Sequence, residues 1–376
     1  MSVKMKSAVL IAVTLAFACA MSIGLTSCSA DDFETNTETP AAATPDAIPS
    51  DTPAPAAAEP TEGPELVPFE DFACDLPAGY ETPTDRPGEI HEETYTTYLY
   101  DNEGNRGEEV EATLYVYTPA GYDPGKQYNI IYLMHGSSDE AGYWLGGGPY
   151  AEGGERYHGV QTQYTTNVFE HMIADGRCGE AILVSPTFTD QFTSDAYFGG
   201  RSIAMLIRVS YQFNNDILPF VEAKYSTYAG GDVSDAGLIA SRDHRAYAGL
   251  SLGSMIGFQA IWINCLEYFA YIGNFSGCDA NDGSLAYAVA GTLNTKYADY
   301  DIKYWYNGNG TSDHLHDDHM AGYAVMLELC PDKFTEGRDY ANGQNCIFVD
   351  KPGKEHTYGS WIVDFYNVMS IFFRVD

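Results

Sequence analysis

From residue 128 onward the chain repeats one alternation: a short, nearly continuous apolar run followed by a stretch of helical length. The runs are 128–134 (Tyr-Asn-Ile-Ile-Tyr-Leu-Met), 181–184, 244–250, 269–275, 302–306 and 346–349. Helical periodicity falls at 166–174, 215–225, 254–266, 321–329 and 360–373. Runs that are apolar at consecutive positions, not at every second one, must be buried on both faces. Strands of this kind alternating with helices specify a mostly parallel sheet covered by helices on both sides. Ahead of them, 93–100 and 109–118 are rich in β-branched and aromatic residues. Asp101-Asn102-Glu103-Gly104-Asn105 between them is turn chemistry, so an N-terminal antiparallel hairpin is expected. No internal repeat is visible. A chain of 376 residues with 45% hydrophobic content suffices for a large core.

The first 68 residues follow other rules. Lys4 and Lys6 precede an almost wholly apolar stretch, 8–23, and then Leu25-Thr26-Ser27-Cys28. A basic start, a short apolar run and small residues before a cysteine form an export signal of the lipoprotein type. Cleavage would leave Cys28 as a lipidated N-terminus, with residues 1–28 the signal. The rival readings are an ordinary cleaved signal and an uncleaved anchor, for which the run is short. Residues 29–68 are dominated by Ala, Pro, Thr, Asp and Glu and contain no Lys or Arg. They have no apolar face and read as a disordered acidic linker ahead of a folded domain at 69–376. The expected location is the bacterial cell surface, lipid-anchored, or the extracellular medium. The net charge of −34 excludes nucleic acid and anionic surfaces as natural partners, leaving the lipid as the only membrane contact, and permits a neutral polysaccharide. Six cysteines remain beyond Cys28: Cys74, Cys178, Cys265, Cys278, Cys330 and Cys346. An exported protein permits disulfides, though spacing selects no pairing. None has zinc-ribbon spacing.

Gly249-Leu250-Ser251-Leu252-Gly253 matches G-x-S-x-G, and it lies between a strand-like and a helix-like stretch. That is the context of a nucleophile elbow, a sharp turn that lifts a serine hydroxyl above a sheet; the glycines are required where neighbouring backbone crowds in. The fold expected is therefore an α/β-hydrolase. A serine nucleophile needs a base and an orienting carboxylate, which in this fold follow in the order Ser, acid, His. Only His314, His316, His319 and His356 follow Ser251, and His356 lies in the loop between the last strand and last helix. The acid should follow the strand before that. Asp313 is the first choice, with Asp317 and Asp318 as rivals. Oxyanion donors are expected from the N–H of Leu252 and, in the loop after the first core strand, of Ser137. Three His and three Asp within 313–319 also suggest a metal, but the triad already accounts for Asp313, and no metal or cofactor is expected.

Several motifs together resemble carbohydrate esterase family 1, and within it the feruloyl esterase domains attached to bacterial xylanases. They are Tyr132-Leu133-Met134-His135-Gly136, the elbow through Ser254, Gly310-Thr311-Ser312-Asp313-His314, and Pro352-Gly353 with His356. The segments 219–228 and 264–268 add similarity away from the site. The resemblance covers residues 90–376. It implies hydrolysis of feruloyl esters of plant cell-wall arabinoxylan, with acetylxylan or another acyl sugar as the alternative. A noncatalytic carbohydrate-binding lipoprotein is the third reading, opposed by an intact Ser251, Asp313 and His356. Ser137-Ser138 stands where many members have a glycine-rich run, and 276–281 lacks the aromatics that often line a ferulate site. Tyr143, Trp144, Tyr150 and Tyr358 are the candidate substitute platform.

Overall fold

A computed structural model describes residues 66–137, 139–147, 164–188, 203–278 and 285–374. They belong to one of the two units into which the chain divides, Glu59–Asp376. The export signal, Cys28 and the linker up to residue 65 lie outside the described residues.

The hairpin is β1 (Glu89–Tyr100) and β2 (Arg106–Thr118). In β1, Glu93, Tyr95 and Thr97 are buried at alternate positions, the pattern of a strand with one solvated face. The Asp101 carboxylate accepts the Glu103 and Asn105 N–H groups, closing the turn. The remaining elements are β3 (Asn129–Met134), α1 (Thr165–Ala174) and β4 (Ala181–Ser185), then α2 (203–224), α3 (Asp235–Ala240), β5 (Arg245–Leu250) and α4 (252–264). After these come β6 (Tyr271–Phe275), α5 (Ala286–Leu293), β7 (Tyr304–Gly310), α6 (His316–Leu329), β8 (Cys346–Lys351) and α7 (Tyr358–Ile371). Both α2 and α4 contain a π turn, Phe213–Ile217 and Gly257–Ile261.

Eight strands form one sheet in the order β1-β2-β4-β3-β5-β6-β7-β8. The β1–β2 and β2–β4 pairs are antiparallel, and every pair from β4 to β8 is parallel. This is the α/β-hydrolase fold. The two cores follow from strand alternation. Ile130, Tyr132 and Met134 of β3 face the helices α2 to α6, where Phe213, Phe258, Val289 and Met326 pack. Ile131 and Leu133 face α1 and α7, against Phe169, Phe365 and Val368. Below the sheet, Arg245 and Glu222 form a buried ion pair at 2.5 and 2.8 Å. The remaining Arg245 donors reach the carbonyls of Leu238 and Tyr268 and the Ser241 hydroxyl, so the guanidinium is saturated.

Two expectations need correction. Asn307-Gly308-Asn309-Gly310, beyond the run 302–306 expected as strand, is the second half of β7, paired with β8 from Phe348 to Lys351. Glycine marks close approach here: a Cβ on Gly308 would lie 1.9 Å from Asp364 Oδ1, and one on Gly310 would lie 2.1 Å from the Lys354 carbonyl oxygen. Helix α2 begins twelve residues earlier than expected, at Ile203, and α3 and α5 were not anticipated. The disulfide question that the spacing left open is answered among the described residues by six free thiols, Cys74 exposed and the other five buried as small apolar residues.

Candidate active site

The parallel strands end at one edge of the sheet, and the chemistry-bearing loops meet there. Ser251 links β5 to α4 with φ 52° and ψ −117°, a backbone that L-residues rarely adopt. Its neighbours show why the turn needs glycine. A Cβ on Gly249 would sit 2.5 Å from Gly253, and one on Gly253 would sit 2.5 Å from the His135 carbonyl oxygen. The turn is clamped by Ser251 N–H to the Phe275 carbonyl at 2.9 Å.

Asp313 and His356 come from adjacent loops that are laced together. Ser312 N–H donates to the Lys354 carbonyl, Thr311 N–H to the Lys351 carbonyl, and Gly353 N–H to the Thr311 hydroxyl. This fixes His356 Nδ1 at 2.9 and 3.0 Å from the two Asp313 oxygens. His356 Nε2 stands 3.0 Å from Ser251 Oγ. The three side chains therefore form a continuous hydrogen-bonded line. The Asp313 side chain is wholly buried, whereas His356 is about 20% exposed. Burial alone would raise the Asp313 carboxyl. The hydrogen bond and charge of His356, the Leu315 N–H at 2.9 Å and the Ser276 hydroxyl outweigh it and hold the carboxyl below the usual aspartate range. The arrangement supplies a hydroxyl, an imidazole that accepts its proton, and a carboxylate that orients the imidazole and balances its charge.

Ser276 and Trp361 belong to the same constellation, and the sequence did not single them out. Ser276, with φ 56°, follows β6 directly. Trp361 on α7 donates its indole N–H to Ser276 Oγ at 2.7 Å and sets its ring edge-on to His356, centroids 5.0 Å apart. One signal was available: Trp361 lies five residues beyond His356, on the first turn of the closing helix.

The loop after β3 is shaped by His135. This buried imidazole is held down to about 4 by desolvation and stays neutral. It lies 2.7 Å from the Gly136 carbonyl and 2.8 Å from the Thr187 hydroxyl. A Cβ on Gly136 would be 3.5 Å from that of Ser251, so the backbone just before Ser137 brushes the serine. Leu252 N–H opens α4, where the first turn leaves N–H groups without intrahelical acceptors. A cavity of about 740 Å³ opens beside Ser137, lined among others by Glu92, Glu108, Glu111, Asp139 and Thr187.

The aromatic platform must be corrected. Trp144 is fully buried, its indole N–H on the Met134 carbonyl at 3.1 Å, and Tyr358 is 2% exposed, its hydroxyl bonded to Tyr164 N–H and the Thr165 hydroxyl. Tyr143 is 7% exposed and packs edge-on against both. Buried in the core between β3 and α7, these rings offer no face to a ligand. Tyr150 and Ser138 lie outside the described residues. The Asp- and His-rich segment also disperses. His316 bonds Asp350 and Asp317 at the surface. His319 is buried and spends its nitrogens on Gly277 N–H and Asn307. Asp317 is fully exposed, and Asp318 lies beside it in the first turn of α6, away from His356 Nδ1, which both Asp313 oxygens occupy.

No family model matches the chain. The endo-1,4-beta-xylanase Y of Acetivibrio thermocellus is 30% identical over 303 residues, which span 79% of this chain and 24% of the xylanase. The chain thus spans about a quarter of the length of that curated relative. Among solved structures, a mutant of the feruloyl esterase module from Clostridium thermocellum complexed with sinapinate is 27% identical, with a TM-score of 0.63 over 84% of this chain and 96% of the module. A ferulic acid esterase from the anaerobic fungus Anaeromyces mucronatus is 19% identical with a TM-score of 0.56 over 81% of this chain and 98% of its own, a likeness of fold.

Proposed function

We propose that this chain, whose sequence and fold resemble the feruloyl esterase domains of carbohydrate esterase family 1, is a serine esterase that releases hydroxycinnamoyl groups from plant cell-wall xylan. The observation that carries the reading is the line Asp313–His356–Ser251 at the carboxyl edge of an α/β-hydrolase sheet. Ser251 Oγ attacks the ester carbonyl while His356 Nε2 takes its proton. The tetrahedral oxyanion is held by the N–H groups of Leu252 and Ser137. The sugar alcohol leaves with the proton from His356, and water repeats the sequence on the acyl-enzyme. Asp313, buried and ionised, keeps the Nδ1–H tautomer and offsets the imidazolium charge. The reading assigns the alcohol side to the cavity beside Ser137, whose carboxylates suit the hydroxyls of a neutral glycan better than an anionic chain.

The test compares kcat/KM for methyl ferulate with that for an acetylated xylo-oligosaccharide on one preparation. The feruloyl ester should be preferred, and by roughly tenfold where one aromatic wall lines the acyl group. One observation favours the second reading, an acetylxylan esterase: the rings of Tyr143, Trp144 and Tyr358 are buried and form no such wall. A clear preference for acetyl would select that reading and leave the triad in place. The proposal includes export and lipidation at Cys28, with residues 29–68 holding the enzyme off the surface. Wild-type protein should then fractionate with membranes and carry lipid, and a Cys28→Ala form should not. Freely released, unlipidated wild-type protein would refute the anchor.

A further inference from the structure

Beside the triad stands a second histidine that the hydrolytic cycle does not use. His314 is 69% exposed on its side chain, and its ring centroid is 4.6 Å from that of His356. Its Nδ1 lies 3.7 Å from Asp313 Oδ1, and His356 Nδ1 lies 2.9 Å from Asp313 Oδ2. One donor atom from each of the three residues falls within 4.8 Å of the others. Ligands of tetrahedral zinc, at about 2.0–2.2 Å from the metal, stand roughly 3.4 Å apart, between the two shorter separations. The exposed His314 needs only a small swing to close the set, and it forms the side from which an ion can enter.

The geometry points to an inhibitory site for a divalent ion of the zinc class, made by Asp313, His314 and His356, by which the metal switches the esterase off. The consequence follows from tautomer chemistry and rests on His356 being the base. An ion on Nδ1 takes the lone pair exposed when the Nδ1 proton leaves. The ring stays neutral by carrying that proton on Nε2 instead. Nε2–H donates and cannot accept, so Ser251 keeps its proton and remains a weak nucleophile. The two imidazoles and one carboxylate leave a fourth position for water, and the ligand types suit zinc better than calcium or magnesium.

The test uses Zn²⁺ itself on the full chain, with two readouts. In metal-free buffer, hydrolysis of p-nitrophenyl acetate by wild-type protein should fall with micromolar zinc and recover with EDTA. Calorimetry should find one strongest zinc site per chain. His314→Gln should keep its basal activity and need at least ~10-fold more zinc for both inhibition and binding, as expected when a site loses part of its ligand set. His316→Gln, which alters the neighbouring His316–Asp350 pair, should behave as wild type. Equal zinc sensitivity of His314→Gln and wild type would overturn the site, as would no inhibition up to millimolar zinc or loss of binding in His316→Gln alone. Calorimetry keeps the metal site separate from the esterase reading: a His314-dependent zinc site in a protein that hydrolyses no ester would refute the esterase reading, and the inhibition with it, and leave the site standing.

Discussion

At the scale of single residues, Ser251 carries two conflicting demands. Its hydroxyl must stand above the sheet, and the backbone that puts it there has a positive φ that disfavours any side chain. Ser251→Ala should therefore lose several orders of magnitude in turnover and keep the fold. Ser251→Gly should be equally inactive yet more stable than Ser251→Ala by about 1 kcal/mol, because glycine relaxes the strain. Activity assays and denaturant unfolding of the two variants check this. Asp313→Asn should be severely impaired and Asp317→Asn nearly normal, in steady-state assays of both. The pH dependence has a definite sign. The Asp313 carboxyl is lower in the folded than in the unfolded chain, so its ionised form stabilises the fold above the unfolded value, and that contribution drains away as pH falls through the folded one. The stability gap between wild type and Asp313→Asn should thus narrow as pH falls from neutral through and below the ordinary aspartate range, as read by unfolding titrations. Residue order and loop position sufficed to choose Ser251, His356 and Asp313 as candidates. What separates Asp313 from Asp317 is burial, which no local pattern encodes: the first is enclosed and the second fully exposed. Trp144 and Tyr358 failed as surface rings for the same reason, since an aromatic in a loop reads alike whether it meets a ligand or the core.

At the scale of elements, β7 shows where legibility ends. The apolar half, Tyr304 to Tyr306, reads as strand from its own residues. The half containing Gly308 and Gly310 reads as a turn, because the reasons for its glycines are distant partners, Asp364 for Gly308, 56 residues on, and Lys354 for Gly310, 44 residues on. Lys351 and Asp364, both wholly buried, pair over Gly308, and the Tyr306 hydroxyl donates to the same carboxylate at 2.8 Å. Gly308→Ala should force the pair apart and leave two charges uncompensated in the core, with a loss of about 3–5 kcal/mol in chemical denaturation. Gly343→Ala has open space around its Cβ but a φ of 83° and should cost about 1 kcal/mol from backbone strain alone. The alternation of apolar runs with helices gave away the rest of the sheet, since burial on both faces leaves strands few polar positions. The helices α3 and α5 are short, of six and eight residues, too brief for a periodic face to stand out.

At the scale of the whole molecule, stability rests on two apolar layers and a few paired buried charges, with no disulfide among the described residues. A reductant should leave the thermal midpoint unchanged, whereas a drop of several degrees would reveal a cross-link. The two ends of the described domain also meet. Arg374 donates to the Val67 carbonyl at 2.7 Å, and the Val67 N–H binds the Gly176 carbonyl at 2.9 Å. Helix α7 starts two residues after His356 and runs fourteen residues, about 20 Å, before reaching that junction. Entrance and exit thus share one doorway at the far end of the closing helix from the reactive edge. A domain with such a doorway can be spliced into another polypeptide as a self-contained cassette, without stretching its host and with its working edge facing outward.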